Sequence, residues 1–208
     1  AHQKMTRAEK SWIAYDVGNS ALVLLATSVI PIYFSSLSPA GGVVVAWSWA
    51  ETVASLIIAL LMPILGSVAD MQGMKKRFIV GCVGTGVVAT VALGFVTAAL
   101  AFLIIYVVSS VALNSSMVFY DALLVDTTTD ERMDEISSQG YAWGYIGSCV
   151  PFIACLGVVL GYESLGITLQ TAMQIAFVIT AAWWAVFTVP LLKNVQQKHF
   201  KPREPHAV

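Results

Sequence analysis

Residues 11–34, SWIAYDVGNSALVLLATSVIPIYF, combine a membrane-type helix with two strongly polar side chains. From Ala21 onward the residues are mostly apolar, as in a helix that crosses a bilayer. Asp16 and Asn19 lie three residues apart and therefore on one helical face. A carboxylate and an amide inside such a helix need an explanation, either in helix packing or in function.

Long uncharged runs recur through the rest of the chain. Of its 208 residues 58% are hydrophobic and 11% are charged, against roughly 25% charged in soluble domains, and the mean hydropathy is +0.79. Runs without Asp, Glu, Lys or Arg cover 17–50, 52–69, 78–120, 136–162 and 164–192. Such runs suit helices of about 20 residues that cross a bilayer, not the alternating strands of a membrane barrel. The sequence therefore predicts an all-α polytopic membrane protein.

Six spans account for these runs. We predict them at about residues 12–34, 43–66, 78–97, 101–124, 138–160 and 166–192. The run 78–120 would be about 65 Å long as one helix, twice the hydrocarbon core, so we expect it to reverse near VTAALA (96–101). The spans form one transmembrane domain, 12–192, between an N-terminal tail, 1–11, and a C-terminal tail, 193–208.

The basic residues support this number of spans independently. With six spans, both tails and the 2–3 and 4–5 loops lie on one side of the membrane. Every basic residue falls on that side: Lys4, Arg7, Lys10, Lys75, Lys76, Arg77, Arg132, Lys193, Lys198, Lys201 and Arg203. The positive-inside rule then predicts that both termini are cytoplasmic, and five or seven spans would break the pattern.

Three carboxylates fall inside the predicted spans. A charged side chain at mid-bilayer costs about 2.5–3.5 kcal/mol on insertion scales, so each is a functional candidate. Asp16 could instead be an interfacial carboxylate that favours the dipole of its helix. Asp121 lies near the end of the fourth span. Glu51 lies about two turns from either loop, where the alternative is a structural hydrogen bond to a neighbouring helix. Because the spans contain no Lys, Arg or His, the acids could bind a proton, a cation or a substrate amino group.

Two further groups of residues bear on packing and on a cavity. Asn114, Ser115 and Ser116 lie up to two turns deeper than Asp121 on the fourth span, where they could line a cavity or hold helices together. Gly140 and Gly144 form a G-x-x-x-G pair in the fifth span. Close helix packing is our main interpretation of that pair, and a flexible gating helix is the alternative.

Features of an enzyme or of a metal site are not found in the sequence. The histidines, His2, His199 and His206, lie in the tails, and the three cysteines lack metal-ligand spacing. The sequence contains no phosphate-cradling glycine loop and no nucleophile elbow. We therefore expect no cofactor, no metal, no catalytic residue and no nucleic-acid partner.

The segment GSVADMQGMKK (66–76) resembles the loop signature of the major facilitator superfamily, G-x-x-x-D-x-x-G-x-K/R. Gly66, Asp70, Gly73 and Lys75 match it and form a candidate gating loop. Gly66 would allow close helix approach, and Gly73 would allow a tight turn. Asp70 would cap a neighbouring helix or pair with a base, and the basic residues would anchor the loop at the lipid headgroups.

Other segments resemble the vacuole-effluxer branch of that superfamily, named for autophagy-related amino-acid exporters. These segments are W-x-x-Y-D-x-x-N-S (12–20), PIYF (31–34), ALLMPILGSVAD (59–70), FYDALL (119–124) and GYAWGYIG (140–147). The chain resembles the N-terminal six-helix half of such a transporter. The resemblance implies two inverted three-helix repeats, with spans one and four lining the cavity, two and five facing the partner half, and three and six outside. The candidate acids fall on spans one, two and four, in agreement with that arrangement.

The chain also departs from the family pattern. Met71 and Met74 stand where the signature has arginines, so the sequence leaves open whether Asp70 has a basic partner. The fourth span lacks the basic residue of many members. Glu51 stands where a small polar residue or an amide is expected.

The family has twelve spans in two halves, and this chain has six. The two halves are related by an axis along the membrane normal, so two six-span chains with the same orientation could rebuild the whole. A homodimer, a heterodimer with a related chain and a fragment of a longer chain all remain open. The expected location is the bacterial inner membrane, and the expected partners are the lipid bilayer and a second six-helix half.

In such an assembly the membrane acids would surround one cavity. The predicted substrate or coupling-ion residues are Asp16, Asn19, Glu51, Asn114 and Asp121, with Tyr15, Tyr120 and Trp143 contacting substrate. Paired carboxylates repel when both are charged, which favours a bound proton on one of them. The sequence therefore predicts a half-size secondary transporter that moves a small polar solute by alternating access with proton or cation coupling. The resemblance suggests an amino acid. The alternative is a non-transporting six-span accessory subunit of a larger membrane complex.

Overall fold

The computed structural model describes residues 4–37, 43–71 and 73–198, and this part of the chain is a bundle of helices. The helices are α1 (Arg7–Ser28), α2 (Ile30–Leu37), α3 (Val43–Ala69), α4 (Met74–Leu93), α5 (Ala99–Ala122), the short α6 (Leu124–Thr127), α7 (Met133–Leu160) and α8 (Leu169–Asn194). Five of them are long and apolar enough to cross a membrane, and the bent pair α1–α2 makes a sixth candidate. The prediction of an all-α polytopic membrane protein is confirmed.

Local sequence explains where several helices begin and bend. The Thr6 hydroxyl accepts a hydrogen bond from the Glu9 N–H at the start of α1, and Thr168 does the same for Thr171 at the start of α8. Such caps satisfy N–H groups that the first turn leaves without partners. α1 and α2 meet at 47°, just before Pro31, whose ring crowds the preceding helical turn and favours a kink or break there. The first predicted span is therefore a bent pair and not one straight helix.

The 43-residue uncharged run is interrupted at residues 94–98, between α4 and α5. Gly94 ends α4 and packs tightly, since a Cβ added there would lie 2.9 Å from the Gln174 Cα atom of α8. At the other end of α4, Gly73 precedes the helix with φ of +72°. A left-handed backbone of this kind suits glycine, as the predicted tight turn requires.

The packing of the helices has an internal two-fold pattern. α1 packs against α7 and α8, as α5 packs against α3 and α4, and α4 packs against α8. Exchanging α1 with α5, α3 with α7 and α4 with α8 preserves these pairs, as expected for two inverted three-helix repeats. One pair breaks the pattern: α7 and α8 are well packed, whereas α3 and α4 make few contacts.

Aromatic side chains fill the centre of the bundle. Trp184 of α8 is fully buried and lies against Gly86 of α4, where an added Cβ would be 2.3 Å from the indole ring. On the other side, Trp12 of α1 and Tyr120 of α5 stack with ring centroids 4.2 Å apart. The Trp12 indole N–H donates to the Tyr120 carbonyl oxygen, and the Tyr120 hydroxyl donates to the Trp12 carbonyl oxygen. These contacts fix α1 against α5, the two helices that carry most of the candidate site.

Candidate functional site

The charged loops and helix ends meet at one end of the bundle, which we call the basic end. Glu9, near the start of α1, forms an ion pair of 2.8 Å with Arg132, just before α7. Lys75, at the start of α4, forms an ion pair of 2.8 Å with Asp126 of α6. The long membrane helices alternate in direction. Each therefore has one terminus near the basic end and the other at the opposite end of the bundle.

The Lys75–Asp126 pair corrects one prediction about the candidate gating loop. We expected the basic residues of this loop to anchor it at the lipid headgroups, but the Lys75 side chain is only 3% exposed. Its ammonium also donates to the Ala122 carbonyl oxygen at 2.9 Å. An ammonium buried in this way needs a carboxylate partner, which Asp126 supplies. No local pattern in the sequence indicates this role of Asp126.

The segment after α8 ties the same loop to α6. The Gln197 amide donates to the carbonyl oxygens of Ala69 and Met71, and its side-chain oxygen accepts from the Lys75 N–H. The Lys198 N–H donates to the Asp126 carboxylate at 2.7 Å. Residues 195–198 thus join the α3–α4 connection, α4 and α6 into one hydrogen-bonded unit.

Gly66 does not have the packing role that its place in the loop signature suggests. A Cβ added at Gly66 would meet no atom within 4 Å in the described part of the chain. The predicted close helix approach at this position is therefore not made within the described part of the chain. Asp70 is exposed beside it, at the end of α3.

The G-x-x-x-G pair of α7 packs directly against α1 and Asp16. A Cβ at Gly140 would lie 3.0 Å from the Trp12 ring, and one at Gly144 would lie 3.2 Å from the Asp16 carboxyl carbon. At Gly147 it would lie 2.6 Å from Val17. These glycines let α7 approach α1 closely, which confirms the packing interpretation.

Asp16 lies in this seam without a cationic partner among the described residues. It is 9% exposed, and its one hydrogen bond to a side chain is the Ser20 hydroxyl at 3.5 Å. The Asp121 carboxylate, at the end of α5, is near enough to interact with it electrostatically. Asp121 itself is exposed. Asp16 of α1 and Asp121 of α5 thus lie within electrostatic range of each other, and we call them the acidic pair.

Glu51 lies in a separate groove between α1, α3 and α5. Its half-buried carboxylate accepts a hydrogen bond from the Tyr106 hydroxyl of α5. The groove has a volume of about 230 Å³, and its polar lining includes Thr27, Ser110 and Asn114. Glu51 therefore has the bond to a neighbouring helix that we considered as its structural role, and it also faces an open space.

Two helical stripes connect the acidic pair to this groove. Along α1, Asp16, Ser20, Val23 and Thr27 follow the i, i+4, i+7, i+11 spacing of one helix face. Along α5, the same spacing relates Ser110, Asn114 and Asp121. Val23, Thr27, Asn114 and Asp121 are all exposed. We call these two stripes together the polar track. It covers about 16 Å of α1 at 1.5 Å per residue.

Of the remaining predicted site residues, Asn19 touches this track, because its side-chain oxygen accepts a hydrogen bond of 3.5 Å from the Ser20 hydroxyl. Tyr15 and Tyr120 are buried, and the Tyr15 hydroxyl hydrogen bonds with that of Ser116. Asn19 is buried, with its amide 3.1 Å from the Met117 sulfur atom. Trp143 is 49% exposed on α7. Contact of these side chains with substrate stays a prediction, and in this conformation the two tyrosines serve the core.

Five membrane-type helices and the bent pair α1–α2, packed in two inverted repeats, form the architecture of one half of a major-facilitator transporter. Comparison with known proteins agrees. The model of the family described as vacuole effluxer Atg22 like matches residues 47–207. The chain is 39% identical over 216 residues to the uncharacterized MFS-type transporter YxiO of Bacillus subtilis (strain 168), an alignment that covers 99% of this chain and 50% of that protein. No solved structure matches the chain significantly.

The chain belongs to the vacuole effluxer Atg22-like family, a branch of the major facilitator superfamily. The resemblance noted in the sequence is thereby confirmed. The chain spans about half the length of the curated relative that it matches.

Proposed function

We propose that this six-helix unit is one half of a secondary transporter and works together with a second six-helix half. In the simplest assembly the second half is another copy of this chain. The assembly moves a small polar solute, such as an amino acid, by alternating access. Membership of a transporter family supports a role in transport. The polar track is the observation that supports movement of a small polar solute.

The polar track supports this function because, apart from the buried Asp16, its residues are exposed or half-exposed on the bundle surface. Exposed Thr27 and Asn114 are polar side chains at membrane depth, and each donates to a backbone carbonyl oxygen of its own helix. Lipid offers no hydrogen bonds to their remaining polar groups. A second half placed over the track would turn it into the wall of a central aqueous cavity. The solute would then pass between the Glu51 groove and the acidic pair Asp16–Asp121.

The acids supply the coupling in this proposal. Glu51 and Asp16 have no ion-pair partner in the described part of the chain. A carboxylate in the membrane that lacks a cation favours binding a proton or another cation. Alternating exposure of such a site to the two sides of the membrane would link ion movement to solute movement.

The number of copies in the assembly is the first test. Native mass spectrometry from nanodiscs should give a mass of two copies of the chain. A monomer, or a stable complex with a different chain, would overturn the symmetric assembly. Variants that lose a complex with a different chain but keep normal solute flux would favour the alternative function, an accessory subunit.

The second test measures coupling in proteoliposomes with a panel of radiolabelled amino acids and an internal pH dye. Glu51→Gln should abolish coupled flux and leave the assembly mass unchanged. Glu163→Gln, at an exposed glutamate outside the polar track, is the matched control and should transport normally. Unchanged flux and pH dependence in Glu51→Gln would remove Glu51 from the mechanism.

A further inference from the structure

A long apolar groove runs along the outer face of α5 between α3 and α4. Three adjoining cavities of about 510, 590 and 530 Å³ meet at Val108. The groove exists because α3 and α4 make few contacts, whereas their counterparts α7 and α8 are well packed. It is distinct from the polar track, because it follows Val108, Val111 and Ser115 of α5 and not Ser110 and Asn114.

The half of this groove at the basic end has a length suited to one lipid leaflet. Its cavity of about 590 Å³ extends along α5 from Val107 to Ser115 and is walled by α4 from Met74 to Thr85. These 12 residues of α4 rise about 17 Å, close to half of the hydrocarbon core of about 30 Å. An acyl chain that begins at the basic end would therefore lie within this cavity.

The mouth of this half carries an arginine. Arg77 lines the cavity in the first turn of α4 and is exposed. It has no ion pair or hydrogen bond to another described side chain, in contrast to Lys75 two residues earlier, which is buried against Asp126. A planar guanidinium suits bidentate contact with a phosphate. The groove thus joins an apolar channel to a cation at the level of the headgroups.

Glycines keep the α4 wall of the groove open. Gly81 and Gly84 line it, and a Cβ on either would meet no atom within 4 Å in the described residues. Gly86 of the same helix, in contrast, is packed against Trp184. Glycine in a helix interior is destabilising relative to alanine. The packing of this chain accounts for Gly86 but not for Gly81 and Gly84, whose lack of a side chain instead leaves space for an occupant.

We propose that the half-groove at the basic end binds an anionic glycerophospholipid, with one acyl chain along α5 and its phosphate at Arg77. Charge complementarity favours a lipid over the helix of a second copy. The exposed guanidinium can pair with an anion at headgroup depth, and clusters of basic residues beside membrane helices select anionic lipids. A bound lipid would fill the gap between α3 and α4 and so complete the packing that the other repeat has by itself.

Native mass spectrometry of the full chain in nanodiscs of equal phosphatidylglycerol and phosphatidylcholine tests this site. The wild type should retain phosphatidylglycerol in preference to phosphatidylcholine. Gly81→Leu, which fills the channel, should lower retention of both lipids about tenfold or more. Arg77→Gln should lower retention of phosphatidylglycerol about tenfold, toward that of phosphatidylcholine.

Two matched variants control for general effects. Gly157→Leu places the same side chain at a glycine of α7 that also has no described atom within 4 Å of an added Cβ. Lys193→Gln removes a basic residue from the exposed end of α8. Both should retain lipid as the wild type does. Equal losses in the controls, or no preference between the two lipids, would overturn the site. A change in the number of protein copies with Gly81→Leu, without a change in lipid, would assign the groove to a second chain.

Discussion

Asp126 and Asp16 are both buried aspartates, 5% and 9% exposed, but their surroundings differ. Asp126 lies at the basic end with the Lys75 ammonium at 2.8 Å and the Lys198 N–H at 2.7 Å. Asp16 lies in the α1–α7 seam with the Ser20 hydroxyl at 3.5 Å and no cation among the described residues. The buried charge of Asp126 is therefore offset by a cation, whereas that of Asp16 is not offset by any described residue.

This difference separates a structural charge from a candidate functional one. Burying an ion costs several kcal/mol unless a well-placed partner offsets it. Asp126 has such partners, and the contacts around it join three parts of the chain. Asp16 and Glu51 have only hydroxyl partners, so a proton or a cation can still bind to them. Substitutions at these carboxylates and at their partners test this separation.

The largest effect is expected on breaking the compensated pair. Lys75→Met leaves the Asp126 carboxylate buried without its ammonium and should lower the free energy of unfolding by about 3–5 kcal/mol. Unfolding of the purified protein by denaturant in mild detergent, followed by tryptophan fluorescence, measures this. Lys76→Met, at the neighbouring lysine outside the pair, should change stability little.

A double variant checks that the loss comes from the unpaired charge. Lys75→Met with Asp126→Leu removes both charges and should recover most of the lost stability, because an apolar pair can replace a buried ion pair. If the double variant were as unstable as Lys75→Met alone, the hydrogen bond from the Lys198 N–H to Asp126 would be the more important contact.

The next effect concerns the seam that holds Asp16. A Cβ at Gly147 would lie 2.6 Å from Val17, so Gly147→Val should push α7 away from α1. Overpacking of this kind costs about 1–3 kcal/mol, measured by the same denaturant titration. Gly157→Val is the matched control, since no described atom lies within 4 Å of a Cβ there. Equal losses in the two variants would mean that β-branching in α7, and not the seam, is responsible.

Features that depend on spacing along one helix could be predicted from the sequence alone. The uncharged runs predicted the helices, because each bilayer crossing needs a continuous apolar segment. Gly140 and Gly144 predicted a close helix contact, and they form one with α1. Such features depend on spacing along one helix, which a sequence displays directly.

Pairings between distant parts of the chain could not be predicted in the same way. Lys75 and Asp126 are 51 residues apart, and each looks like an ordinary boundary charge. Similarly, the buried Tyr15 hydroxyl meets Ser116 across the bundle, which no local pattern indicates. The glycines of α4 look alike in sequence, yet Gly86 packs against Trp184 and Gly81 faces an open groove. Which face of a helix is covered depends on the tertiary arrangement.

A smaller change in stability is expected at the uncompensated aspartate. Asp16→Asn removes a buried charge that lacks a cation and keeps the shape of the side chain. The free energy of unfolding should therefore stay within about 1 kcal/mol of the wild type or rise, while coupled flux in proteoliposomes is lost. Asp134→Asn, at an exposed aspartate early in α7, should preserve both. A loss of several kcal/mol in Asp16→Asn would make Asp16 a structural residue like Asp126.

A similarly small change in stability is expected from Tyr106→Phe, which removes the hydroxyl that donates to Glu51. One hydrogen bond at the edge of an open groove contributes about 1 kcal/mol to stability. Transport should respond more strongly, because the hydroxyl orients the carboxylate that binds the ion. We expect flux to fall about tenfold, the factor for losing a hydrogen bond to a charged group.

A second tyrosine–glutamate pair provides the control for this last comparison. The Tyr162 hydroxyl donates to the adjacent Glu163 carboxylate at 3.4 Å, and both residues lie outside the polar track. Tyr162→Phe should leave flux and stability unchanged. If Tyr106→Phe also left flux unchanged, its bond to Glu51 would only hold α5 to α3. Glu51 would then join Asp126 among the structural carboxylates, and coupling would fall to the Asp16–Asp121 pair alone.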